Sequence, residues 1–360
     1  MEAPIIVLAS NNGDIGGGEV MLLNIAQAMT KLGMDVRIVG PREPSELVDA
    51  AKSGGFQTIV LDAATRRGYM FALRRWDAAH REGLLWCNGL VPAVATSGHP
   101  NRIVHLHQRP HGAQRPLSTL ARQGALVTVV PSHNMAGALK GTQVLHNWVS
   151  GVPTGLPSDE SRVASAIRLG FLGRPSIDKG VDVLAESLQL LDAKSPGSFR
   201  LVLAGESRFV DSQSQDQVAE ALRSIEHLLE STGWIRPEEF FRQVDFLVCP
   251  STWPESFGLV VAEAMSARVP FVISDAGALP EVAGAHHPWV FPAGNAAELA
   301  STLERAARAD NTSNVENAFV RWEREFSPDA GEQRLGELLN AFTTLNIEPA
   351  TATDFPKGKP

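Results

Sequence analysis

Cysteine is scarce in this chain. Its 360 residues include only Cys87 and Cys249, and both lie in apolar surroundings. Two isolated thiols exclude the disulfide framework of small secreted proteins and the cysteine clusters of structural zinc sites. Because such cysteine usage is typical of a reducing compartment, we expect a cytoplasmic protein.

Long hydrophobic runs are absent too. The apolar run at 5–9 is shorter than the core of a signal peptide, and it follows Glu2 rather than a basic segment. No run approaches the ~20 apolar residues of a membrane-spanning helix. We therefore expect neither a signal peptide nor a transmembrane segment.

Positive charge is outweighed by negative charge. The 32 Lys and Arg residues face 40 Asp and Glu residues, and the net charge of −8 argues against a general nucleic-acid-binding protein. The sequence also has no Asp-x-Asp motif and no group of His, Cys and Asp residues with the spacing of metal ligands. We predict no bound metal and no cofactor.

What the chain does contain is an alternation of short apolar strands with helical segments. The strand-like runs lie at 5–9, 34–40, 58–62, 84–88, 102–107, 126–130 and 246–249. This alternation predicts an α/β fold with doubly wound parallel sheets, and 360 residues are enough for two such domains. Ligands of such sheets collect at the carboxyl ends of the strands.

The stretch at 250–265, PSTWPESFGLVVAEAM, joins a strand end to the start of a helix. Backbone N–H groups near Phe257, Gly258 and Leu259 are expected to be unpaired there, at the positive end of the helix dipole. Such a turn is a ready site for a phosphate group.

Glu255 and Glu263 flank this turn. If most of the interval is helical, their carboxylates lie ~12 Å apart, which is too far to share a proton. Carboxylates accept hydrogen bonds from sugar hydroxyls, so the pair fits a nucleoside diphosphate sugar, with an anion between two hydroxyl-bearing rings. The alternative is a cap residue and a solvated helix face, but Glu263 lies in an apolar run, where an unpaired charge is costly.

The same residues resemble a known signature. The pattern of Glu255, seven residues and Glu263, followed by ALPEV at 278–282, resembles the donor site of the retaining glycosyltransferases of family 4 (glycosyl transferases group 1), which have the GT-B fold. The resemblance covers most of the chain. It implies two Rossmann-like, doubly wound domains that face each other across a cleft.

The resemblance also implies roles for individual residues. It places His107 against the donor sugar, Arg174 and Lys179 against the pyrophosphate, Glu255 at the sugar hydroxyls and Glu263 at the ribose diol. The catalytic set that it implies is His107, Arg174, Lys179 and Glu255, and the donor-binding set is Gly16, Gly17, Gly18, Gly205, Trp234, Ile235, Ser256, Phe257, Gly258, Leu259 and Glu263.

Several of these residues also have a structural interpretation. Glycines at 16–18 are expected in a tight turn as well as in a loop that a ligand approaches, and they do not form a GxGxxG fingerprint. His105 and His111 compete with His107 for the histidine role. Trp234 fits either stacking on a nucleobase or packing in a domain. We expect Glu281 to be structural.

The predicted domain boundary lies in the Gly-, Pro- and Ser-rich segment at 151–162. We assign 1–155 to an acceptor-side domain and 156–327 to a nucleotide-sugar donor domain. By resemblance, a helix at 328–345 crosses back onto the first domain, and the tail at 346–360 has a composition typical of disorder.

The segment at 66–81 mixes Arg66, Arg67, Arg74 and Arg75 with the aromatic residues Tyr69, Phe71 and Trp76. A helix at a membrane surface has this composition, but so does the solvated basic face of an ordinary helix. Both interpretations stay open, and the first predicts peripheral contact with the inner face of the membrane.

The prediction for the whole chain is a retaining, metal-independent glycosyltransferase. Its donor is a UDP, GDP or similar nucleotide sugar, and its acceptor is a glycan, a lipid-linked saccharide or a small metabolite of cell-envelope or exopolysaccharide biosynthesis. No nucleic acid is expected as a partner. The alternatives are a GT-B nucleotide-sugar epimerase or hydrolase and a non-catalytic sugar-nucleotide-binding partner subunit.

Overall fold

The computed structural model describes residues 3–153, 166–206 and 212–343, and by its internal contacts the chain divides into two compact units. Unit 1 comprises Met1–Val130, Gly141–Leu145 and Glu332–Pro360, and unit 2 comprises Pro131–Lys140 and His146–Gly331. The predicted boundary at 155/156 and the predicted tail at 346–360 lie outside the described residues, as does most of the predicted linker.

Unit 1 contains a parallel sheet of seven strands in the order β3-β2-β1-β4-β5-β6-β7. Its strands are β1 (Ile5–Ala9), β2 (Asp35–Pro41), β3 (Gln57–Leu61), β4 (Leu84–Asn88), β5 (Arg102–His105), β6 (Val127–Val130) and β7 (Gln143–Val144). The order reverses between β1 and β4, and ligands of doubly wound sheets bind at the carboxyl ends beside such a reversal.

The helices of unit 1 are α1 (Gly17–Lys31), α2 (Glu46–Ser53), α3 (Arg66–His80), α4 (Leu90–Ala95) and α5 (Gln114–Ala121). The sequence of α1 explains why this segment is a helix. Its buried side chains recur at helical spacing and cover the sheet, and they are Met21, Leu22, Ile25 and Met29. Because α1 follows β1 in the chain, its first residues lie at the carboxyl end of that strand.

Unit 2 contains a parallel sheet of six strands in the order β10-β9-β8-β11-β12-β13. Its strands are β8 (Ile167–Leu172), β9 (Phe199–Ala204), β10 (Leu229–Gly233), β11 (Phe246–Cys249), β12 (Phe271–Ser274) and β13 (Val290–Phe291). Its helices are α6 (His133–Ala138), α7 (Val181–Lys194), α8 (Ser212–Arg223), α9 (Pro237–Phe241), α10 (Leu259–Ser266), α11 (Leu279–Ala283), α12 (Ala296–Arg308) and α13 (Thr312–Glu325).

The core of unit 2 has two halves, one on each face of the sheet. Leu201 and Leu203 of β9 point into the half that α7 and α12 cover. Val202 and Ala204 point into the other half, which includes α10 and α11. Side chains alternate between faces along a strand, so a parallel strand buried on both sides reads as a continuous apolar run.

The last described helix, α14 (Pro328–Thr343), begins in unit 2 and ends in unit 1. Within unit 1, Glu332 forms an ion pair of 3.2 Å with Lys31 of α1, and Gly336 lies beside Leu32. The predicted role of 328–345 as a crossover helix stays a prediction.

Two doubly wound parallel sheets confirm the predicted fold class. One strand is shorter than predicted: β5 ends at His105, so His107 lies two residues beyond the strand. Among the described residues, no helix combines the length and hydropathy needed to cross a membrane.

Candidate donor site

The loop between β11 and α10 is held in place by the loop that follows β12. Glu255 forms an isolated parallel bridge with Gly277, and its carbonyl accepts a 2.9 Å hydrogen bond from the N–H of Ala278. A Cβ atom on Gly277 would lie 2.4 Å from the backbone nitrogen of Glu255, so only glycine permits this approach.

The side chain of Glu255 pairs with Lys179. The Nζ of Lys179 lies 2.5 Å from Oε1 of Glu255, and the hydroxyl of Ser251 donates a 2.6 Å hydrogen bond to the same oxygen. Within the described parts of the chain, Oε2 of Glu255 accepts no hydrogen bond. The carboxylate is therefore fixed by one oxygen and open at the other.

Lys179 comes from the loop after β8, the strand next to β11 at the reversal of strand order. In the loop between β11 and α10, the backbone N–H groups of Thr252 and Trp253 donate hydrogen bonds of 3.0 and 3.1 Å to the carbonyl of Asp178. These bonds bring Lys179 and Glu255 together from positions 76 residues apart. The predicted pair thus lies where ligands bind in such sheets.

The start of α10 offers unpaired backbone donors. The N–H groups of Phe257, Gly258 and Leu259 have no hydrogen-bond acceptor among the residues described. Gly258 precedes the helix with a φ of 101°, and a Cβ there would lie 2.6 Å from Leu279. Arg174 is exposed and forms no hydrogen bond or ion pair within the described segments. The three N–H groups lie at the positive end of the helix dipole and can bind an anion.

Glu263 is the fifth residue of α10 and is partly buried. Burial raises the pKa of its carboxyl to about 7, and the charge of Glu238 adds to the rise. Residues 259–263, five of the nine from Glu255 to Glu263, are helical, and the expected ~12 Å separation of the two carboxylates stays a prediction. The helix begins at Leu259, because Glu255 is held in the extended bridge.

Cys249 ends β11 next to both carboxylates. Burial, together with the charges of Glu255 and Glu263, raises the pKa of its thiol to about 12 against the opposing effect of Lys179. The thiol is therefore neutral at ordinary pH and supplies no nucleophile.

Glycines end the three strands on the other side of β11. Gly205, after β9, donates a 2.8 Å hydrogen bond to the carbonyl of Gly233, and Gly173 donates a 2.9 Å bond to that of Ala204. Trp234 is the residue after Gly233, the last residue of β10. It is 71% exposed, so it does not pack in the core of unit 2. Ile235 is partly buried against that core.

In unit 1 the reversal of strand order brings His107, Asn88 and Gly18 together. The amide nitrogen of Asn88 donates a 3.1 Å hydrogen bond to the carbonyl of Gly18, so its oxygen faces His107. That oxygen lies 2.6 Å from Nε2 of His107. Because the oxygen can only accept, Nε2 carries the proton, and Nδ1 is a buried acceptor with no hydrogen-bond partner among the described residues.

The three competing histidines differ in their surroundings. Burial lowers the pKa of His107 to about 4, and His107 stays partly exposed. His105 is fully buried, burial lowers its pKa well below the ordinary value, and both of its ring nitrogens lack a partner among the described groups. His111 is exposed. His107 is thus the histidine that combines solvent access with a fixed orientation.

The glycines at 16–18 do not form a tight turn. Gly16 precedes α1 with an extended φ of −115°, and Gly17 and Gly18 are the first residues of the helix. A Cβ on Gly18 would lie 3.4 Å from the ring of His107. Glu19 follows, and its carboxylate accepts hydrogen bonds from Ser10 and from the N–H of Gly16. Burial raises the pKa of Glu19.

A cluster that sequence spacing did not reveal lies elsewhere in unit 2. The carboxylate of Glu281 accepts hydrogen bonds from the N–H groups of His133 and Asn134, at 2.7 and 2.8 Å, and Nε2 of His146 lies 3.1 Å from its Oε1. Ligand atoms of His133, His146 and Glu281 lie within 4.8 Å of one another. Glu281 is 135 or more positions away from the two histidines in the sequence, so no local sequence pattern could have shown the cluster.

A family model matches part of this chain. Residues 166–309 match the family described as Glycosyl transferases group 1. The match starts one residue before β8 and ends one residue after α12, so it covers the sheet of unit 2 and the surroundings of Glu255.

Curated relatives are similar over about a third of this chain. An uncharacterized 42.6 kDa protein in the cps region of Klebsiella pneumoniae is 34% identical over 115 residues, which are 32% of this chain and 28% of the relative. The lipopolysaccharide core biosynthesis mannosyltransferase LpsB of Rhizobium meliloti is 29% identical over 137 residues, which are 35% and 38%. The chain thus matches only about a third of the length of these relatives.

Solved structures are similar over nearly the whole chain. The Anabaena protein Alr3699/HepE, in complex with UDP and glucose, has a TM-score of 0.76 at 21% identity and covers 93% of this chain and 99% of its own. Sucrose-phosphate synthase from Thermosynechococcus elongatus has a TM-score of 0.81 at 17% identity and covers 95% and 100%. These likenesses are of fold, and they agree with the predicted GT-B class.

Proposed function

We propose that this protein is a retaining glycosyltransferase of family 4 that moves a sugar from a nucleoside diphosphate sugar to an acceptor. The observation that carries the proposal is the Lys179–Glu255 pair beside unpaired backbone donors at the reversal of strand order in unit 2. The family match over this unit supports it.

The cationic groups would act on the leaving group. Cleavage of a sugar–phosphate bond builds negative charge on the departing diphosphate, and preorganised donors stabilise that charge best when water is excluded. Lys179, Arg174 and the N–H groups at the start of α10 are the donors that would do so. They supply the positive charge that a metal ion supplies in other enzymes, so we propose a metal-independent and cofactor-independent reaction.

The two carboxylates would hold the two ends of the donor. The open Oε2 of Glu255 can accept a hydrogen bond from a sugar hydroxyl, while Lys179 and Ser251 keep Oε1 in place. Glu263 would accept from the ribose diol. Because a hydrogen-bonded diol favours the ionised carboxylate, donor binding should strengthen as pH rises through about 7.

We propose attack from the same face as the departing group, with the leaving phosphate accepting the acceptor's proton. Neutral Cys249 and paired Glu255 are poorly placed as covalent nucleophiles, which favours this route. His107 remains the proposed contact for the donor sugar. Its pKa of about 4 makes it a neutral hydrogen-bonding group at physiological pH and not a general acid.

The acceptor proposed is a glycan or lipid-linked saccharide of envelope polysaccharide synthesis. The relatives in a cps region and in lipopolysaccharide core biosynthesis support this class. A nucleotide-sugar epimerase or hydrolase and a non-catalytic partner subunit are the competing functions.

Two measurements test the proposal. The first is a thermal-shift assay with UDP, GDP, ADP and their sugars. The nucleotide series that the protein binds should raise its melting temperature, because a ligand that binds only the folded state stabilises it by mass action. With that donor, anomer-resolved analysis should show an acceptor glycosylated with retention. Release of only a free or epimerised sugar would establish one alternative, and nucleotide binding with no turnover on any acceptor would establish the other.

A membrane contact through α3 is a separate proposal. Phe71 is 77% exposed and shares the outer face of the helix with the exposed Arg67 and Arg75, whereas Tyr69 is buried. From 83 to 158 the sequence contains no Asp or Glu, so little negative charge opposes these arginines. Flotation with anionic liposomes should show binding that is lost in a Phe71→Ser, Arg75→Glu variant. Equal binding by the variant would contradict the proposal.

A further inference from the structure

We propose that His133, His146 and Glu281 bind a divalent transition-metal ion such as Zn²⁺. The site belongs to unit 2 but is not the one built on Glu255, and it does not depend on the proposed glycosyl transfer. No ion is needed in the proposed reaction, so a failure of one proposal leaves the other standing.

The donor set is suited to such an ion. Two imidazoles and one carboxylate form a common ligand set for Zn²⁺, with bonds of about 2.0–2.2 Å. The carboxylate of Glu281 is held in a fixed orientation by hydrogen bonds from the backbone N–H groups of His133 and Asn134. Imidazole nitrogens favour zinc, cobalt and nickel over magnesium or calcium.

The geometry of two ligands already fits. Nε2 of His146 and Oε1 of Glu281 are 3.1 Å apart. Two ligand atoms at that spacing, each ~2.1 Å from a metal, subtend an angle of about 95° at it, which four- to six-coordinate ions accept. The ion would replace the proton now shared between the two atoms.

The third ligand is close and free to turn. His133 is exposed, and its ring centroid lies 5.4 Å from that of His146 in an edge-to-face arrangement. Its ligand atom lies within 4.8 Å of the other two, so a side-chain rotation at the surface closes the remaining distance. The backbone of His133 needs no movement, because Glu281 already holds its N–H group.

His146 is the most constrained of the three ligands. Its ring centroid lies 6.2 Å from that of Phe257 and 5.8 Å from that of Phe326. The ion would therefore join His133, at the start of α6, to Glu281 of α11. It would also bind His146, whose ring lies near Phe257 in the loop ahead of α10. We expect the bound ion to restrain the residues of α6.

The test is a calorimetric titration of Zn²⁺ into the tag-free full-length chain. We expect one ion per chain, and weaker binding by at least about tenfold in His133→Ala and Glu281→Gln variants. Cobalt should bind at the same site and give the visible absorption of a low-coordinate ion. Hydrogen exchange in the presence of Zn²⁺ should slow across His133–Ala138.

A matched control comes from His227. Its Nε2 lies 3.0 Å from a carboxylate oxygen of Asp192, and the only three-ligand cluster among the described residues is the one at His133. His227→Ala should leave the affinity for Zn²⁺ unchanged. Because His133 is exposed, its variant should fold normally, which circular dichroism can check. Absence of one-to-one binding, or equal affinity in folded His133→Ala, would overturn the proposal.

Discussion

The two sheets place different chemistry at equivalent positions. At the reversal of strand order in unit 2, Lys179 and Glu255 form an ion pair and Arg174 adds a second positive charge. At the reversal in unit 1, His107 and Asn88 are joined by a hydrogen bond, and burial keeps the imidazole neutral. The same topology has produced one charged and one neutral site.

The difference teaches where charge stabilisation is to be expected. Groups that respond to a developing anion belong to unit 2, which can supply two cations and several N–H donors. Unit 1 supplies a ring of fixed tautomer, which can position a neutral hydroxyl but adds no charge. Substitutions should therefore affect rate most in unit 2 and orientation most in unit 1.

The largest effect is expected from Lys179→Ala. Loss of one donor to a developing oxyanion typically lowers kcat about 10²–10³-fold, and this change also leaves Glu255 unpaired. Steady-state kinetics with the identified donor would measure it. Lys194→Ala is the matched control, because it removes a Lys–Glu pair of 2.7 Å with Glu304 elsewhere in unit 2. Similar kcat in both variants would refute the assignment.

The next largest effect is a difference in stability between glycine-to-alanine variants at the two sites. Gly258→Ala puts a Cβ at a φ of 101° and 2.6 Å from Leu279, which we expect to destabilise unit 2 by about 1–3 kcal/mol. Gly18→Ala adds a methyl group 3.4 Å from His107 inside a helix, where alanine is favoured by up to ~1 kcal/mol. Urea unfolding measures the free energy of unfolding of both variants. An equal loss of stability in Gly258→Ala and Gly18→Ala would contradict this prediction.

Glu263→Gln should stabilise the fold in a pH-dependent way. The folded-state pKa of about 7 lies above the ordinary 4.5, so the folded protein holds the extra proton and wild-type stability falls as pH rises between these values. The variant should be more stable by on the order of 1–3 kcal/mol at pH 8 and unchanged at pH 4.

Thermal unfolding across that pH range provides the check, with Glu186→Gln on the exposed face of α7 as control. The same variant should bind the nucleotide more weakly, because a neutral amide replaces the acceptor of the ribose diol. A pH-independent difference in stability would show that Glu263 is not held in a desolvated position.

The smallest effect is expected from Asn88→Asp. A carboxylate beside Nε2 favours the imidazolium, so the pKa of His107 should rise from about 4 by about one unit or more. Nitrogen chemical shifts of the histidine rings across a pH series report both the pKa and the tautomer, and exposed His111 serves as an internal reference. An unchanged titration of His107 would show that Asn88 does not orient the ring.

Local sequence signals were sufficient for the elements around Glu255. The apolar run of β11 and the alanine-rich start of α10 are contiguous in the chain, so the turn between them could be predicted. The extended conformation of Glu255 could not, because it depends on a bridge to Gly277, which is 22 residues away. Asn88 was missed for the same reason, because its partners Gly18 and His107 are 70 and 19 residues away. Ser251 lies only four residues from Glu255, but their hydrogen bond depends on the conformation of the loop, which no sequence motif signals.

The hydrogen bonds of Glu281 have a practical consequence for recombining this protein with its relatives. Residues Pro131–Lys140 follow a strand of the first sheet, but their contacts assign them to unit 2. A chimaera that replaces the first 145 residues would exchange the segment whose two backbone N–H groups hold Glu281, and a segment with a different backbone conformation would leave the carboxylate poorly satisfied. Exchanges of acceptor specificity should therefore retain the native segment 131–140 together with unit 2.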